Sequence, residues 1–115
     1  MDIVIDTNMF MEKKVIEEVR KFGQPIILSS VIEELKKISV GKGKNARKAK
    51  LVLEIIGKKG MEIVVTDKKG DNAILDYVRD NKCIVATNDK ALIKRLKENE
   101  IKVLRMRQGK YLVEG

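Results

Sequence analysis

Short aliphatic runs alternate along the chain with longer segments in which apolar residues recur every three or four positions. The runs predict β-strands, and the longer segments predict amphipathic helices. Strands are expected at residues 3–5, 26–28, 63–65, 83–86 and 102–106. Helices are expected at residues 8–22, at about 31–39, from the Gly-Lys stretch 41–44 to about 57, at about 72–81 and at about 89–99.

Two of these helices carry end signals. Gly23 and Pro25 would stop the first helix, because proline lacks the backbone donor that a helix needs. Ser30, with Glu33 three residues later, predicts a capping box at the start of the second helix.

The alternation of strands with helices is typical of a parallel sheet that is covered by helices on both faces. The chain shows no internal repeat and no linker long enough to divide it. We therefore expect residues 1–115 to form a single three-layer α/β/α domain around a central, mainly parallel sheet.

Composition narrows the function. Apolar residues make up 43% of the 115 residues and aromatics only 3%, so the core must be aliphatic and no base-stacking platform is available. Lys and Arg number 25 against 17 Asp and Glu, which leaves a net charge of +8. Such a balance favours a polyanion such as nucleic acid, although a lysine-rich surface that binds nothing in particular is the alternative.

Several classes of site are excluded by what the sequence lacks. There is no histidine, which removes serine-histidine triads, a histidine base and histidine-ligated zinc. The single cysteine, Cys83, permits no intramolecular disulfide and is expected to be a small buried hydrophobe. No apolar stretch approaches a membrane span and no signal peptide is recognised, so we expect a cytoplasmic protein with no membrane partner.

Acidic side chains follow the predicted strands. Asp6 ends the first strand, Asp71 lies beyond the third and Asp89 follows the fourth. In open parallel sheets ligands bind outside the carboxyl ends of the strands, so these acids are expected at one edge. The position of Glu34 on its helix adds it to this group of acids. At about 100° per residue, Glu34 lies beside the apolar stripe of the helix, whereas Glu33 lies almost opposite that stripe.

The acids at this edge can be interpreted either as helix caps or as metal ligands. Asp71, Asn88 and Asp89 suit helix N-termini and could each be a cap. Asp6 is harder to explain in that way, because a carboxylate that ends a buried strand needs a partner to offset its desolvation. We therefore predict that the four acids hold Mg²⁺ or Mn²⁺, the hard cations that prefer carboxylate oxygens.

A basic segment without acids follows the second predicted helix. We predict that it contacts RNA phosphates, and the alternative is an ordinary solvated helix face. Its residues are Lys42, Lys44, Arg47, Lys48 and Lys50.

The acids and their neighbours resemble the PIN-domain nucleases over essentially the whole chain. The family has an Asp that ends the first strand, a Glu on an early helix, an Asp that opens a later helix, and Thr-x-Asp after the next strand. The matching segments are Val4-Ile5-Asp6-Thr7-Asn8, Ser30-Val31-Ile32-Glu33-Glu34-Leu35, Gly70-Asp71-Asn72-Ala73-Ile74-Leu75 and Val85-Ala86-Thr87-Asn88-Asp89-Lys90-Ala91-Leu92. One departure is Asn72, where many relatives have a second Asp, and this leaves the number of metal ions open.

The resemblance implies a Mg²⁺- or Mn²⁺-dependent endoribonuclease. Asp6, Glu34, Asp71 and Asp89 would be its catalytic and metal-binding residues. Thr7, Asn8, Thr87 and Asn88 would orient the carboxylates through hydrogen bonds. The chain is similar both to small-subunit ribosomal RNA processing nucleases and to VapC toxins, so pre-ribosomal RNA, an antitoxin protein and a second copy in a homodimer are the partners it implies.

Three other classes compete with a nuclease. A PIN fold that binds RNA or protein without cutting usually shows a broken acidic set, whereas all four acids are present here. A phosphoacceptor receiver domain would need an acidic pair after the first strand and a lysine ending the last. A dinucleotide-binding fold would need a glycine loop after Ile5.

Overall fold

The computed structural model describes residues 1–12 and 14–115 and shows strands and helices in alternation. The strands are β1 (Asp2–Ile5), β2 (Gln24–Leu28), β3 (Glu62–Val64), β4 (Cys83–Ala86), β5 (Val103–Arg107) and β6 (Tyr111–Glu114). The helices are a 3₁₀ helix (Thr7–Met11), α1 (Val15–Arg20), α2 (Ser29–Ser39), α3 (Lys44–Lys59), α4 (Gly70–Asp80) and α5 (Lys90–Glu98).

The strands form one six-stranded sheet in the order β3-β2-β1-β4-β5-β6. The first five strands are parallel, and β6 pairs antiparallel with β5. This arrangement confirms the predicted α/β class with a central, mainly parallel sheet.

The strand order reverses at the centre of the sheet. The chain moves outward from β1 through β2 to β3, crosses to β4 and then continues the other way. Because such crossovers are right-handed, α1–α3 cover one face of the sheet, and α4 and α5 cover the other. The junction between β1 and β4 is the switch point at which open α/β sheets bind ligands.

The two central strands are the most deeply buried part of the core. Ile3, Val4 and Ile5 of β1 are inaccessible to solvent, as are Val85 and Ala86 of β4. Continuous apolar runs of this kind are required of strands that are covered on both faces. Their packing fixes the positions of the residues that follow them at the carboxyl edge.

The prediction of one helix at 8–22 was wrong in part. Asp6 accepts the N–H of Thr7 and starts a short 3₁₀ helix, and α1 begins only at Val15. The two segments are separate because Lys14 adopts a left-handed conformation, with φ of 57° and ψ of 25°. Lys13, which the predicted helix also included, lies outside the described residues.

The capping box at Ser30 was also wrong. The helix α2 begins at Ser29, before the predicted cap, and Ser30 is buried within its first turn. The hydroxyl of Ser29 instead accepts the N–H of Thr66 at 2.9 Å, which joins the end of β2 to the segment after β3.

The sequence analysis missed β6. A hairpin joins β5 to β6, and its turn contains Gln108 and Gly109, both with positive φ. A Gln-Gly pair is a weaker turn signal than the Asn-Gly or Asp-Gly pairs that favour this geometry. On β6 the N–H of Leu112 donates to Glu18 Oε1 at 3.2 Å, so α1 satisfies a backbone group of this edge strand.

Glu18 is a buried acid with two donors. The hydrogen bond from the Lys21 ammonium lowers the pKa of its carboxyl, and the Leu112 N–H adds to this effect against the opposing influence of burial.

No helix in the described part of the chain is long and apolar enough to cross a membrane.

Candidate active site

Asp6 is the first residue after the fully buried strand β1 and lies at the switch point. Its backbone N–H donates to the carbonyl of Ala86 at 3.0 Å, which ties it to the end of β4. Its carboxylate accepts two hydrogen bonds, from the N–H of Thr7 to Oδ1 and from the hydroxyl of Thr87 to Oδ2, each at 2.8 Å. The carboxylate is therefore held in one orientation by both central strands.

Thr87 connects Asp6 to Asp89. It is completely buried, and its hydroxyl accepts the N–H of Asp89 at 3.1 Å while donating to Asp6. Asp89 in turn caps α5, because its Oδ1 accepts the N–H of Leu92 at 3.1 Å. The Thr-x-Asp motif thus places one acid and orients another through a single hydroxyl group.

The pKa of Asp6 is affected by burial, by hydrogen bonds and by two other carboxylates at this edge. Burial raises the pKa of Asp6 above its ordinary value, and the hydrogen bonds from Thr87 and Thr7 offset part of that rise. The negative charges of Asp71 and Asp89 raise the pKa of Asp6 further. Asp71 and Asp89 are therefore each close enough to Asp6 to repel its carboxylate.

No basic side chain neutralises these acids within residues 1–12 and 14–115. The ion pairs found there join Glu18 to Lys21, and Asp76 to Lys68 and Arg79. Like charges at a partly buried edge destabilise the folded state unless a cation binds. The edge consequently has the electrostatic character of a cation site.

Asp71 differs from Asp89 in its local role. It lies in the first turn of α4 and is half-buried, but α4 has no side-chain cap, and no hydrogen bond of Asp71 is found in the part of the chain described. Capping therefore explains the position of Asp89 but not that of Asp71. Asp71 contributes to its own helix only through its negative charge in the first turn, which suits the helix dipole.

Glu34 lies further from the centre of the edge. It is half-buried on α2, between the buried Val31 and Leu35 and beside the exposed Glu33, as its helix phase indicated. It follows the first residue of α2 by five positions, or about 7.5 Å along the helix axis. It is not among the charges that raise the pKa of Asp6, whereas Asp71 and Asp89 are.

The remaining polar residues of the edge have distinct contacts. Asn88 Oδ1 accepts the N–H of Met106 at 2.8 Å and so fastens the loop before α5 to β5. Thr7 reaches Asp6 through its backbone, not through its hydroxyl. Asn8 is exposed, and no hydrogen bond of its side chain is found among the described residues.

The donor set fits a hard divalent cation in its chemistry. Across the described ranges, no three Asp, Glu or Cys side chains lie close enough together to hold a metal ion as a group. Magnesium does not require three, because it keeps several waters and is usually held by one or two carboxylates. Asp6 together with Asp71 or Asp89 would supply carboxylates of that number.

The predicted basic segment lies on α3 and on the loop before it. Lys42, Lys44, Arg47, Lys48 and Lys50 are all exposed. Ala46, Ala49 and Val52 of the same helix are buried, so the cations occupy its outer side. Lys48 also donates to the carbonyl of Met11 at 3.1 Å, which ties α3 to the 3₁₀ helix after Asp6.

Comparison with known proteins agrees with this fold and edge. A family model described as a PIN-like domain matches residues 3–109. Ribonuclease VapC9 of Archaeoglobus fulgidus is 30% identical, over 93% of this chain and 84% of its own length. Ribonuclease VapC4 of Methanocaldococcus jannaschii is 42% identical, over 75% of this chain and 68% of its own length.

A solved structure supports the same assignment. The PIN domain endonuclease Utp24 superposes with a TM-score of 0.77 at 25% identity, covering 98% of this chain and 90% of that one. The fold is therefore that of a nuclease domain with an acidic carboxyl edge. The chain belongs to the PIN-like domain family, and the relatives it matches are ribonucleases.

The Thr87 hydroxyl provides a direct test of the geometry. Thr87→Val should raise the pKa of Asp6 further, because the substitution removes a hydrogen bond that favours the ionised carboxylate. It should also lower the free energy of unfolding by about 1–3 kcal/mol, since valine can neither donate to the Asp6 carboxylate nor accept the N–H of Asp89. Titration of the Asp6 carboxyl carbon by NMR measures the first effect.

Thr66→Val is the matched control, because Thr66 lies just beyond the edge strand β3 and its hydrogen bonds in the described residues are with Ser29 and Lys68. The control should leave the pKa of Asp6 unchanged. An unchanged or lowered pKa of Asp6 in Thr87→Val would contradict the assigned hydrogen bond.

Proposed function

We propose that residues 1–115 form one nuclease domain that hydrolyses RNA phosphodiester bonds internally and depends on Mg²⁺ or Mn²⁺. The observation that carries this proposal is the Asp6 carboxylate. It is partly buried, it is surrounded by two further acids, and no basic side chain pairs with it in the described residues. An edge of this kind is suited to bind a divalent cation and, through it, a phosphate.

Each acid has a separate role in this proposal. Asp6, Asp71 and Asp89 hold the cation, with Asp6 central because it is adjacent to both of the others. The bound cation would stabilise negative charge on the phosphoryl oxygens and lower the pKa of a water molecule. Glu34, at the margin of the group, accepts a hydrogen bond from the attacking water and orients it for in-line attack.

The hydroxyl and amide residues of the edge act through the carboxylates. Thr87 and Thr7 keep the Asp6 carboxylate directed outward, and Asn88 holds the loop that carries Asp89. Such supporting hydrogen bonds typically contribute about 10–100-fold to metal affinity or activity. Asn8 is assigned to the same set because it is exposed next to Thr7 at the edge.

Asp6→Asn tests the proposed chemistry. The variant should keep its fold, because an amide oxygen can still accept the N–H of Thr7. It should lose metal-dependent cleavage by about 100-fold or more, because the central charge that holds the cation is removed. Cleavage of a labelled RNA with added Mg²⁺ or Mn²⁺, and again with EDTA, measures the effect.

Asp80→Asn is the control for the loss of one carboxylate, since Asp80 is exposed at the opposite end of α4 from Asp71. Its activity should equal that of the unmodified protein. Full activity of Asp6→Asn, or undiminished cleavage in EDTA, would refute the mechanism.

The basic side of α3 is proposed to bind the phosphates of the substrate. The support is the group of exposed cations on a helix that packs against the 3₁₀ helix directly after Asp6. Contacts of this kind position an RNA but do not read its sequence.

Replacing Lys44, Arg47 and Lys48 together by Ala should weaken RNA binding. For a single strand the slope of log affinity against log salt should become shallower by about 2, or about 0.7 for each lost contact. A triple variant at Lys94, Lys97 and Lys102, also exposed, is the control of equal charge. Equal affinity and slope in the two triple variants would rule out this contact.

The biological role is proposed from the relatives. The two VapC ribonucleases favour a toxin that is held by an antitoxin protein, and the second candidate is processing of pre-ribosomal RNA. An apolar groove of about 330 Å³ beside α1 and α3, with Leu51 exposed in it, supports a protein partner such as an antitoxin or a second copy of the chain. Crosslinking of the Asp6→Asn protein in cells distinguishes the two roles, since the first predicts that RNAs other than pre-ribosomal RNA are trapped.

A further inference from the structure

A second groove lies between α4 and α5, on the face of the sheet opposite α3. Its volume is about 520 Å³, and its exposed lining is mainly polar. It is lined by Lys68, Asn72, Leu75, Asp76, Val78, Arg79, Arg95, Asn99 and Ile101.

The groove carries a surplus of positive charge. Lys68 and Arg79 share one carboxylate, that of Asp76, at 3.1 and 3.8 Å. Arg95 forms no ion pair with any acid in residues 1–12 and 14–115. Three cations against one acid leave a net charge of +2 in the groove.

The groove is continuous with the acidic edge. Asn72 lines it and directly follows Asp71, and Lys68 precedes α4 in the loop from the carboxyl end of β3. Arg95 and Asn99 lie in the second half of α5 and just beyond it, so the groove extends away from the edge between the two helices. A strand whose phosphate is held at the acids would extend into this groove as a cationic surface that begins beside Asp71.

We propose that the α4–α5 groove binds the sugar-phosphate backbone of a single-stranded RNA on one side of the bond that is cut. This inference rests on the proposed nuclease function. Lys68, Arg79 and Arg95 contact the phosphates, as is usual for cationic grooves that follow a single strand. No aromatic side chain lines the groove, so these contacts do not depend on base identity.

The groove and α3 then have complementary roles. The acids lie at the carboxyl edge, with α3 on one face of the sheet and the groove on the other. A single strand that passes over the edge would contact cations on both sides of the scissile phosphate. This arrangement would position the RNA while leaving the acids free for the cation.

Binding of oligouridine by paired charge variants tests the proposal. The probes are oligouridines of about 4 to 16 nucleotides, the range of site sizes seen for single-strand binding domains. All proteins carry Asp6→Asn, so that the RNA is not cut. The groove variant adds Arg79→Gln and Arg95→Gln, and the control adds Lys94→Gln and Lys97→Gln, which are exposed on α5 and do not line the groove.

The groove variant should bind the longest probe more weakly than the control. Its salt slope should be shallower by about 1.4, from two lost phosphate contacts at about 0.7 each. Its affinity should also stop increasing at a shorter probe length, because the strand that leaves the edge meets only Lys68, which is paired with Asp76.

Two results would overturn the proposal, and they are distinguishable. Equal affinity, slope and length dependence in the groove and control variants, with binding intact, would exclude the groove alone. Failure of every protein to bind oligouridine, the Asp6→Asn parent included, would refute the RNA assignment of the edge and of the groove together.

Discussion

The partly buried carboxylate of Asp6 is the constraint on which the rest of the site depends. It ends a strand whose apolar residues are completely buried, so its position is set by the packing of the sheet and not by a flexible loop. Burial of a carboxylate is unfavourable, and here two neighbouring acids make it more so. Two hydrogen bonds offset part of that cost, and a bound cation would offset the remainder.

The distribution of charge follows from the same constraint. A chain of net charge +8 places three acids together at the switch point of its sheet, and cations lie on both faces beside them. In the proposed function this separation is useful, because the positive surfaces would attract the RNA and the acidic edge would bind it through a divalent cation.

Much of the fold was predictable, because buried parallel strands leave a strong apolar signal. The strand 83–86 was placed at its observed bounds, and the helix phase of α2 separated Glu34 from Glu33. The errors have local physical causes. A left-handed Lys14 divides the first predicted helix, and an uncommon Gln108-Gly109 turn hid the last strand.

Prediction of the site reached its limit at tertiary detail. Strand ends and motif spacing indicated which acids converge, but not that one threonine hydroxyl joins Asp6 to Asp89. They also could not tell which acid caps its helix: Asp89 makes a cap hydrogen bond, and Asp71 makes none in the described residues. The α4–α5 groove could not be predicted, because its cations come from three segments that are separate in sequence.

The central claim is that Asp6, with Asp71 and Asp89, forms a cation site. The most direct test is electron paramagnetic resonance of free Mn²⁺ during titration of the protein at neutral pH, comparing the unmodified chain with Asp6→Asn. This account predicts that the unmodified chain binds Mn²⁺ and that the variant binds it at least about tenfold more weakly. Equal Mn²⁺ affinity in the two proteins, or none in the unmodified chain, would contradict it.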